Sequence, residues 1–381
     1  MKKILFIFPY YKIGGTLTSF SNLIPLINKD RYEINAFALS NEVDDAAILP
    51  KGVNYIGLNT ETTSAKTSQK ELKSKVIGLL KSGKRLLTKL GYDPSDIVFK
   101  KMAKTISGKY DVVIAFQEGQ ATRMAQYVYA SKKIAWIHSI YSRFKSINNT
   151  STINAYDSFD KIVCVSHTAA KDMLDCEPQW RDKIHVVYNS IDKDIVNVKA
   201  LNGISFKKTI NIVSVGRIDP VKRFSCIPEI ANRLLVSGVD FDWWIIGGIA
   251  VQEEYDNLMA NIKKYHIEDC VHSLGVLSNP YPYIKSATML VCLSSSETFN
   301  YTIAEAKAIG VPVVSTDFPC AFEFIEHEKN GLILPIEKIA DGIKRMLEDD
   351  KLYSGIQKNL LFNQKETSLT KEQFKSLLEN E

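Results

Sequence analysis

Ile210-Asn211-Ile212-Val213-Ser214-Val215-Gly216-Arg217-Ile218-Asp219-Pro220-Val221-Lys222-Arg223 is where this chain begins a fold for the second time. Ile210 to Val215 reads as a β-strand, and Gly216 ends it. Upstream lies a polar stretch, Ser190 to Lys208, the natural linker. Before it, short apolar runs alternate with helical ones. Ile4 to Phe8 has no polar alternation, as expected of a strand covered on both faces. Tyr32 to Leu39, Val53 to Leu58, Asp111 to Phe116, Lys133 to His138 and Lys161 to Ser166 continue the series. Downstream of Gly216, further strands are expected at Trp243 to Ile246, Val271 to Leu274, Met289 to Cys292, Val313 to Ser315 and Gly331 to Leu334. Strand–helix alternation implies parallel sheets joined by right-handed crossovers. The fold class is therefore α/β, with two Rossmann-like, doubly wound parallel-sheet domains facing a central cleft. The domains run 1–190 and 209–366, with a linker at 191–208. A helix at 367–381 is free to pack back onto the first domain.

The 381 residues are 45% hydrophobic and 24% charged, the balance of a globular protein with a sizeable core. The net charge of +5 is too weak to argue for nucleic acid. Cys164, Cys176, Cys226, Cys270, Cys292 and Cys320 are too scattered for a C-x-x-C or zinc-finger pattern. The first apolar run is too short for a signal peptide, and no window reaches the ~18 apolar residues of a membrane span. A cytoplasmic location is expected.

Two motifs carry the chemistry. In Ser296-Glu297-Thr298-Phe299-Asn300-Tyr301-Thr302-Ile303-Ala304-Glu305-Ala306, two glutamates stand eight positions apart. Glu297 follows a buried strand, and Glu305 sits inside the next helix, where a carboxylate can accept hydrogen bonds from ribose hydroxyls. The helix amides near Thr298 to Tyr301 favour an anion. In Gly216 to Lys222, Arg217 and Lys222 project from a strand–helix turn and offer two cations to a leaving diphosphate.

These motifs, with Gly310-Val311-Pro312 behind them, resemble the retaining glycosyltransferases of family four, which have the two-domain GT-B fold. The resemblance covers nearly the whole chain. The E-x7-E element matches Glu297 and Glu305, and the G-R-x4-K element matches Gly216, Arg217 and Lys222. Leu274-Gly275 matches a turn near the nucleotide base, and Tyr188-Asn189-Ser190-Ile191-Asp192 resembles the interdomain link. The resemblance implies that Glu305 holds the ribose and that Glu297 contacts the donor sugar. Thr298, Phe299 and Asn300 would lie against sugar and phosphate, and Arg217 and Lys222 would hold the diphosphate. In the first domain it implies that Gly14 and Gly15 approach phosphate or acceptor, and that His138 lies beside the donor sugar. Glu297, His138, Arg217 and Lys222 are the catalytic candidates. The family's Glu-Gly-Phe-Gly is replaced by Glu297-Thr298-Phe299-Asn300, which is expected to narrow or repolarise the sugar pocket.

The implied reaction moves a sugar from a nucleotide sugar, with UDP preferred, to a glycan or lipid-linked glycan acceptor of a bacterial surface polysaccharide. No metal and no cofactor are expected. Asp240-Phe241-Asp242 and Asp192-Lys193-Asp194 mimic a D-x-D metal motif, but one precedes a strand and the other lies in the linker. His167, His185, His266, His272 and His327 read as structural. An epimerase of the same fold and a non-catalytic nucleotide-sugar binder are the alternatives. A dinucleotide oxidoreductase is disfavoured, because no G-x-G-x-x-G follows the first strand. One segment stands apart: between Glu61 and Tyr110 there are twelve Lys/Arg against four Asp/Glu. Within it, 73–90 reads as an amphipathic basic helix that can lie on anionic lipid or pack on the first domain. No nucleic-acid partner is expected, since the patch lacks interleaved aromatics.

Overall fold

The computed structural model describes residues 1–12, 14–40, 49–57, 95–106, 108–362 and 366–379. The proposed helix at 73–90 lies outside the described residues. Two compact units emerge. One takes Met1–Val165, Ala169–Val187 and Gln373–Glu381; the other takes Ser166–Thr168 and Tyr188–Glu372.

In the first unit, β1 (Lys2–Phe8), β2 (Tyr32–Ala38), β3 (Asn54–Ile56), β4 (Tyr110–Ala115), β5 (Ala130–Ile137), β6 (Lys161–Cys164) and β7 (Ile184–Val186) form one sheet, ordered β3-β2-β1-β4-β5-β6-β7. Neighbouring strands are parallel. Ile4 to Phe8 are fully buried, because β1 is central and covered on both faces. Phe6 stands opposite Ala36 and Ile114 in register, and the small partner leaves room for its ring. Phe6 and Phe8 meet Phe20 edge to face at 5.0 and 4.8 Å. Phe20 lies on the helix Gly15–Leu23 that follows β1. This aromatic packing fixes that helix over the sheet.

In the second unit, β8 (Ile210–Val215), β9 (Phe241–Ile246), β10 (Val271–Gly275), β11 (Met289–Cys292), β12 (Val313–Thr316) and β13 (Leu332–Leu334) are ordered β10-β9-β8-β11-β12-β13. All pairs are parallel. The strand order reverses between β8 and β11, the point in such sheets where ligands collect at the carboxyl ends. A buried polar chain registers the middle strands. Trp243 Nε1 donates to Ser214 Oγ at 3.1 Å, and Ser214 Oγ donates to the Val291 carbonyl at 2.7 Å. The Trp243 indole N–H and the Ser214 hydroxyl, both buried, thereby each gain a partner.

The stretch read as a plain linker is more ordered than its composition suggests. Asp192 accepts a hydrogen bond from Ile195 N at 2.9 Å and starts a helix, Lys193–Lys199. The C-terminal helix is Glu366–Glu379. Within the first unit, its Phe374 packs on Trp136 with ring centroids 5.9 Å apart, and Glu379 pairs with Arg31 at 2.7 Å.

Candidate functional site

The second unit concentrates the motif residues at the carboxyl edge of its sheet. Gly216 follows β8, Gly247 follows β9, and Gly275 closes β10. Gly216 N donates to the Ile246 carbonyl at 2.9 Å, and Gly247 N donates to the Gly275 carbonyl at 2.8 Å. The three strand ends are thus stitched together by backbone. A Cβ on Gly247 would stand 1.7 Å from the Gly216 carbonyl oxygen, so no side chain fits there. A Cβ on Gly216 would meet Cε and Cδ of Lys222 at 3.3 and 3.4 Å. Gly216 therefore leaves space for the lysine stem to fold back over the strand end, a physical reason for the spacing of the G-R-x4-K motif.

The turn that delivers Lys222 is built around buried Asp219. Its Oδ1 accepts the N–H groups of Val221 and Lys222, both at 3.0 Å. The Val221 carbonyl accepts from Ser295 N at 2.8 Å, which ties this turn to the loop after β11. Arg223 leaves the turn in a left-handed conformation, φ 52°. Lys222 Nζ then reaches Glu297 Oε1, which also accepts from Ser294 Oγ at 2.9 Å. The lysine and the glutamate are both mostly buried. Burial opposes the charge of Lys222, yet the Glu297 carboxylate outweighs it and lifts the ammonium above its ordinary range. Arg217 behaves differently: three quarters exposed, it touches Asp219 at 3.3 Å.

Glu305 lies one helical stretch further on. The helix Tyr301–Ile309 begins at Asn300, whose side chain accepts from Ile303 N at 3.0 Å. It ends at Gly310 in the left-handed conformation, φ 88°. Asn300 also donates to Cys292 Sγ at 3.3 Å and is only 2% exposed. This corrects the expectation that its side chain repolarises the sugar pocket: the amide is turned inward and caps the helix. Phe299 packs edge to face on Tyr301 and Phe324, each at 4.9 Å. The Thr298 carbonyl accepts from Cys320 Sγ at 3.2 Å. Asn300→Ala is therefore expected to lower stability by about 1 kcal/mol, read as a drop in the urea midpoint, with nucleotide affinity little changed. A switch of donor sugar without loss of stability would contradict the capping role.

Glu305 Oε1 accepts from the Tyr281 hydroxyl at 2.9 Å. Burial pushes Glu305 up to about 7, against the pull of that hydrogen bond and of Lys199. Tyr281 belongs to no motif, and the sequence reading missed it. Ser294 was missed for the same reason, and Asp219 because it stands at an unspecified position of the G-R-x4-K element; both orient the catalytic candidates.

In the first unit, Gly14 and Gly15 border a cavity of about 220 Å³ with Phe8, Tyr10, Lys12 and Gln117. A Cβ on Gly14 would meet nothing within 4 Å, but its φ of 159° is one that side chains rarely adopt, so the backbone and not packing favours glycine there. His138 follows β5 and stacks parallel to Trp136, with ring centroids 6.3 Å apart. Its backbone N–H donates to Glu118 at 3.1 Å. Burial pushes its imidazole down to about 4, against the attraction of Glu118 and a hydrogen bond to the Phe116 backbone. His138 is therefore neutral at physiological pH and can orient a hydroxyl, but it is no charged acid there.

Asp240 and Asp242 lie at the start of β9, the opposite end of the strand from Gly247. Lys208 pairs with them at 3.0 and 3.6 Å, and His272 meets Asp242 at 3.2 Å. This is an ion-pair cluster at the amino edge. Among the described residues, no three His, Cys, Asp or Glu side chains are grouped to hold a metal ion. Among the same residues, no helix is long and apolar enough to cross a membrane.

Comparison with known proteins adds to this geometry. Residues 202–360 match the family model described as Glycosyl transferases group 1, and 75–195 match Glycosyltransferase Family 4. Together the two matches take in more than half of the chain. The N-acetylgalactosamine-N,N'-diacetylbacillosaminyl-diphospho-undecaprenol 4-alpha-N-acetylgalactosaminyltransferase of Campylobacter jejuni is 28% identical over 71% of each chain. The N-acetyl-alpha-D-glucosaminyl L-malate synthase of Bacillus anthracis is 27% identical over 55% of each. Among solved structures, HepE of Anabaena, in complex with UDP and glucose, has a TM-score of 0.69 at 17% identity, with all of both chains covered. TarM of S. aureus, in complex with UDP among other ligands, has a TM-score of 0.69 at 13% identity, again with all of both chains covered. These likenesses give the fold: GT-B.

Proposed function

This chain belongs to the glycosyltransferases of family four, and we propose that it moves a sugar from a nucleotide sugar, preferably a UDP-sugar, to a glycan carried on a lipid. The observation that carries the donor reading is the Lys222–Glu297 pair over Gly216, at the carboxyl edge where the second sheet reverses its strand order. A lysine held charged in a mostly buried place stabilises a diphosphate as negative charge develops on it. Arg217, exposed beside it, adds a fork that can close on the same phosphates. Glu305 accepts the ribose hydroxyls, and Glu297 contacts the donor sugar. Gly275 lies toward the base. Thr298 and Phe299 offer mainly backbone to sugar and phosphate. Gly14, Gly15 and His138 serve the acceptor and the sugar from the first domain. The lipid-linked acceptor is favoured by the undecaprenol-linked substrate named for the Campylobacter relative. Assembly of a bacterial surface polysaccharide at the inner face of the cell membrane is the matching process.

Protein cations rather than a metal then carry the leaving diphosphate. The acceptor oxygen attacks the anomeric carbon on the face that the diphosphate leaves. The new carbon–oxygen bond forms as the bond to phosphate breaks, and the acceptor proton passes to the released phosphate oxygen. The anomeric configuration is retained, and positioning and electrostatics supply the rate.

Calorimetry against UDP, GDP and ADP in EDTA tests the donor half. One nucleotide is expected to bind the wild type without metal. Glu305→Ala should weaken it about tenfold to a hundredfold, the loss of hydrogen bonds to a charged group. Equal binding by both proteins would remove Glu305 from the ribose.

A further inference from the structure

Glu305 is gripped by a residue that its motif does not contain. Tyr281 opens the short helix Tyr281–Ser286 and donates its phenol to Glu305 Oε1 at 2.9 Å. The tyrosine is itself anchored. Its N–H donates to Asn279 Oδ1 at 3.2 Å, and Asn279 Nδ2 donates to the Lys199 carbonyl at 2.8 Å. The Lys199 ammonium stands 5.9 Å from the centre of the Tyr281 ring. A tyrosine, an asparagine and a lysine from two segments thus converge behind one carboxylate. We propose that Tyr281 is the positioning residue of the nucleotide site: by holding Oε1 it fixes the plane of the Glu305 carboxylate and directs Oε2 to the ribose hydroxyls. This inference rests on the ribose role proposed above for Glu305.

The chemistry makes the role measurable. A ribose hydroxyl donates its proton, so it needs an acceptor, and the ionised carboxylate is an acceptor at both oxygens. Burial drives Glu305 toward its neutral form, while the Tyr281 hydrogen bond and the Lys199 charge oppose that drive. Those two groups, one from Tyr281–Ser286 and one from Lys193–Lys199, are the partners that favour its charge. Below its midpoint Glu305 carries a proton, and one acceptor is lost. Nucleotide affinity therefore rises with pH through the midpoint of Glu305 and levels off above it. Removing the phenol raises the midpoint and moves the whole curve to higher pH.

The test compares the wild type, Tyr281→Phe and Glu305→Gln from pH 6 to pH 9. The ligand is whichever of UDP, GDP and ADP the wild type binds. Ionisation of the nucleotide is common to all three proteins and cancels in the affinity ratios. A one-unit shift of the midpoint is expected for Tyr281→Phe. It would weaken binding about fivefold more at pH 7 than at pH 9, and the loss that remains at pH 9 reads the misdirected Oε2. Glu305→Gln should bind more weakly at high pH and lose this dependence. A carbon-13 titration of the Glu305 carboxyl in free protein should show the same upward shift in Tyr281→Phe. If Tyr281→Phe leaves the midpoint of Glu305 unchanged, the phenol does not hold the carboxylate, and the positioning role is overturned while the ribose role of Glu305 stands. If no nucleotide binds, or Glu305→Gln binds as the wild type does, the ribose role fails and takes this inference with it.

Discussion

A Lys222→Met enzyme should transfer sugar about 10²- to 10³-fold more slowly than the wild type, the range found when one preorganised group is removed from developing negative charge. The structure gives the reason for so large an effect. Lys222 is held charged beside Glu297 in a mostly buried place, so its field is little screened by water. The loss should appear in kcat more than in substrate affinity, because charge grows on the diphosphate only as the sugar departs. Deleting the lysine also leaves Glu297 without its cation, and some stability will go with it. The double variant Lys222→Met, Glu297→Gln separates the two effects. It should recover stability and remain slow. A double variant with wild-type turnover would show that neither Lys222 nor Glu297 acts in the transfer.

Gly247→Ala should cost about 3 kcal/mol or more, because the new methyl would overlap a backbone atom rather than a movable side chain. The Gly216 carbonyl oxygen stands 1.7 Å from the place that Cβ would take. Gly247 also lies at φ 154°, a region that side chains disfavour. Relief requires β8 and β9 to part at their carboxyl ends, where Gly216 N holds the Ile246 carbonyl. The variant should therefore show a much lower urea midpoint and weaker nucleotide binding together. A wild-type midpoint would mean that the two glycines do not approach each other as described.

Both effects trace to features of different legibility. The two sheets were readable because strand–helix alternation restarts at Ile210 after a polar stretch, and parallel topology leaves few strand orders. The apolar run Ile4 to Phe8 announced a central strand, and β1 is one. The spacing of Gly216, Arg217 and Lys222 and of Glu297 and Glu305 pointed to the carboxyl edge of one sheet. What the spacing could not give was side-chain direction. Asn300 looked like a pocket residue, although an asparagine just before a helix is also a cap, and the cap is what forms. Tyr281 precedes Glu305 by 24 positions, and no periodicity links two residues on different helices. The Gly216–Gly247 approach depends on how two strand ends meet in space, which no spacing along the sequence reports. The helix Lys193–Lys199 hid in a polar stretch because its single cap, Asp192, also fits a turn.

A crystal structure with the tightest-binding nucleoside diphosphate tests the central claim most directly. The ribose hydroxyls should lie within hydrogen-bond distance of the Glu305 carboxylate, and the diphosphate should rest over Gly216 against the Lys222 ammonium. A nucleotide bound away from the carboxyl edge of β8 and β11, with Glu305 and Lys222 untouched, would contradict the account.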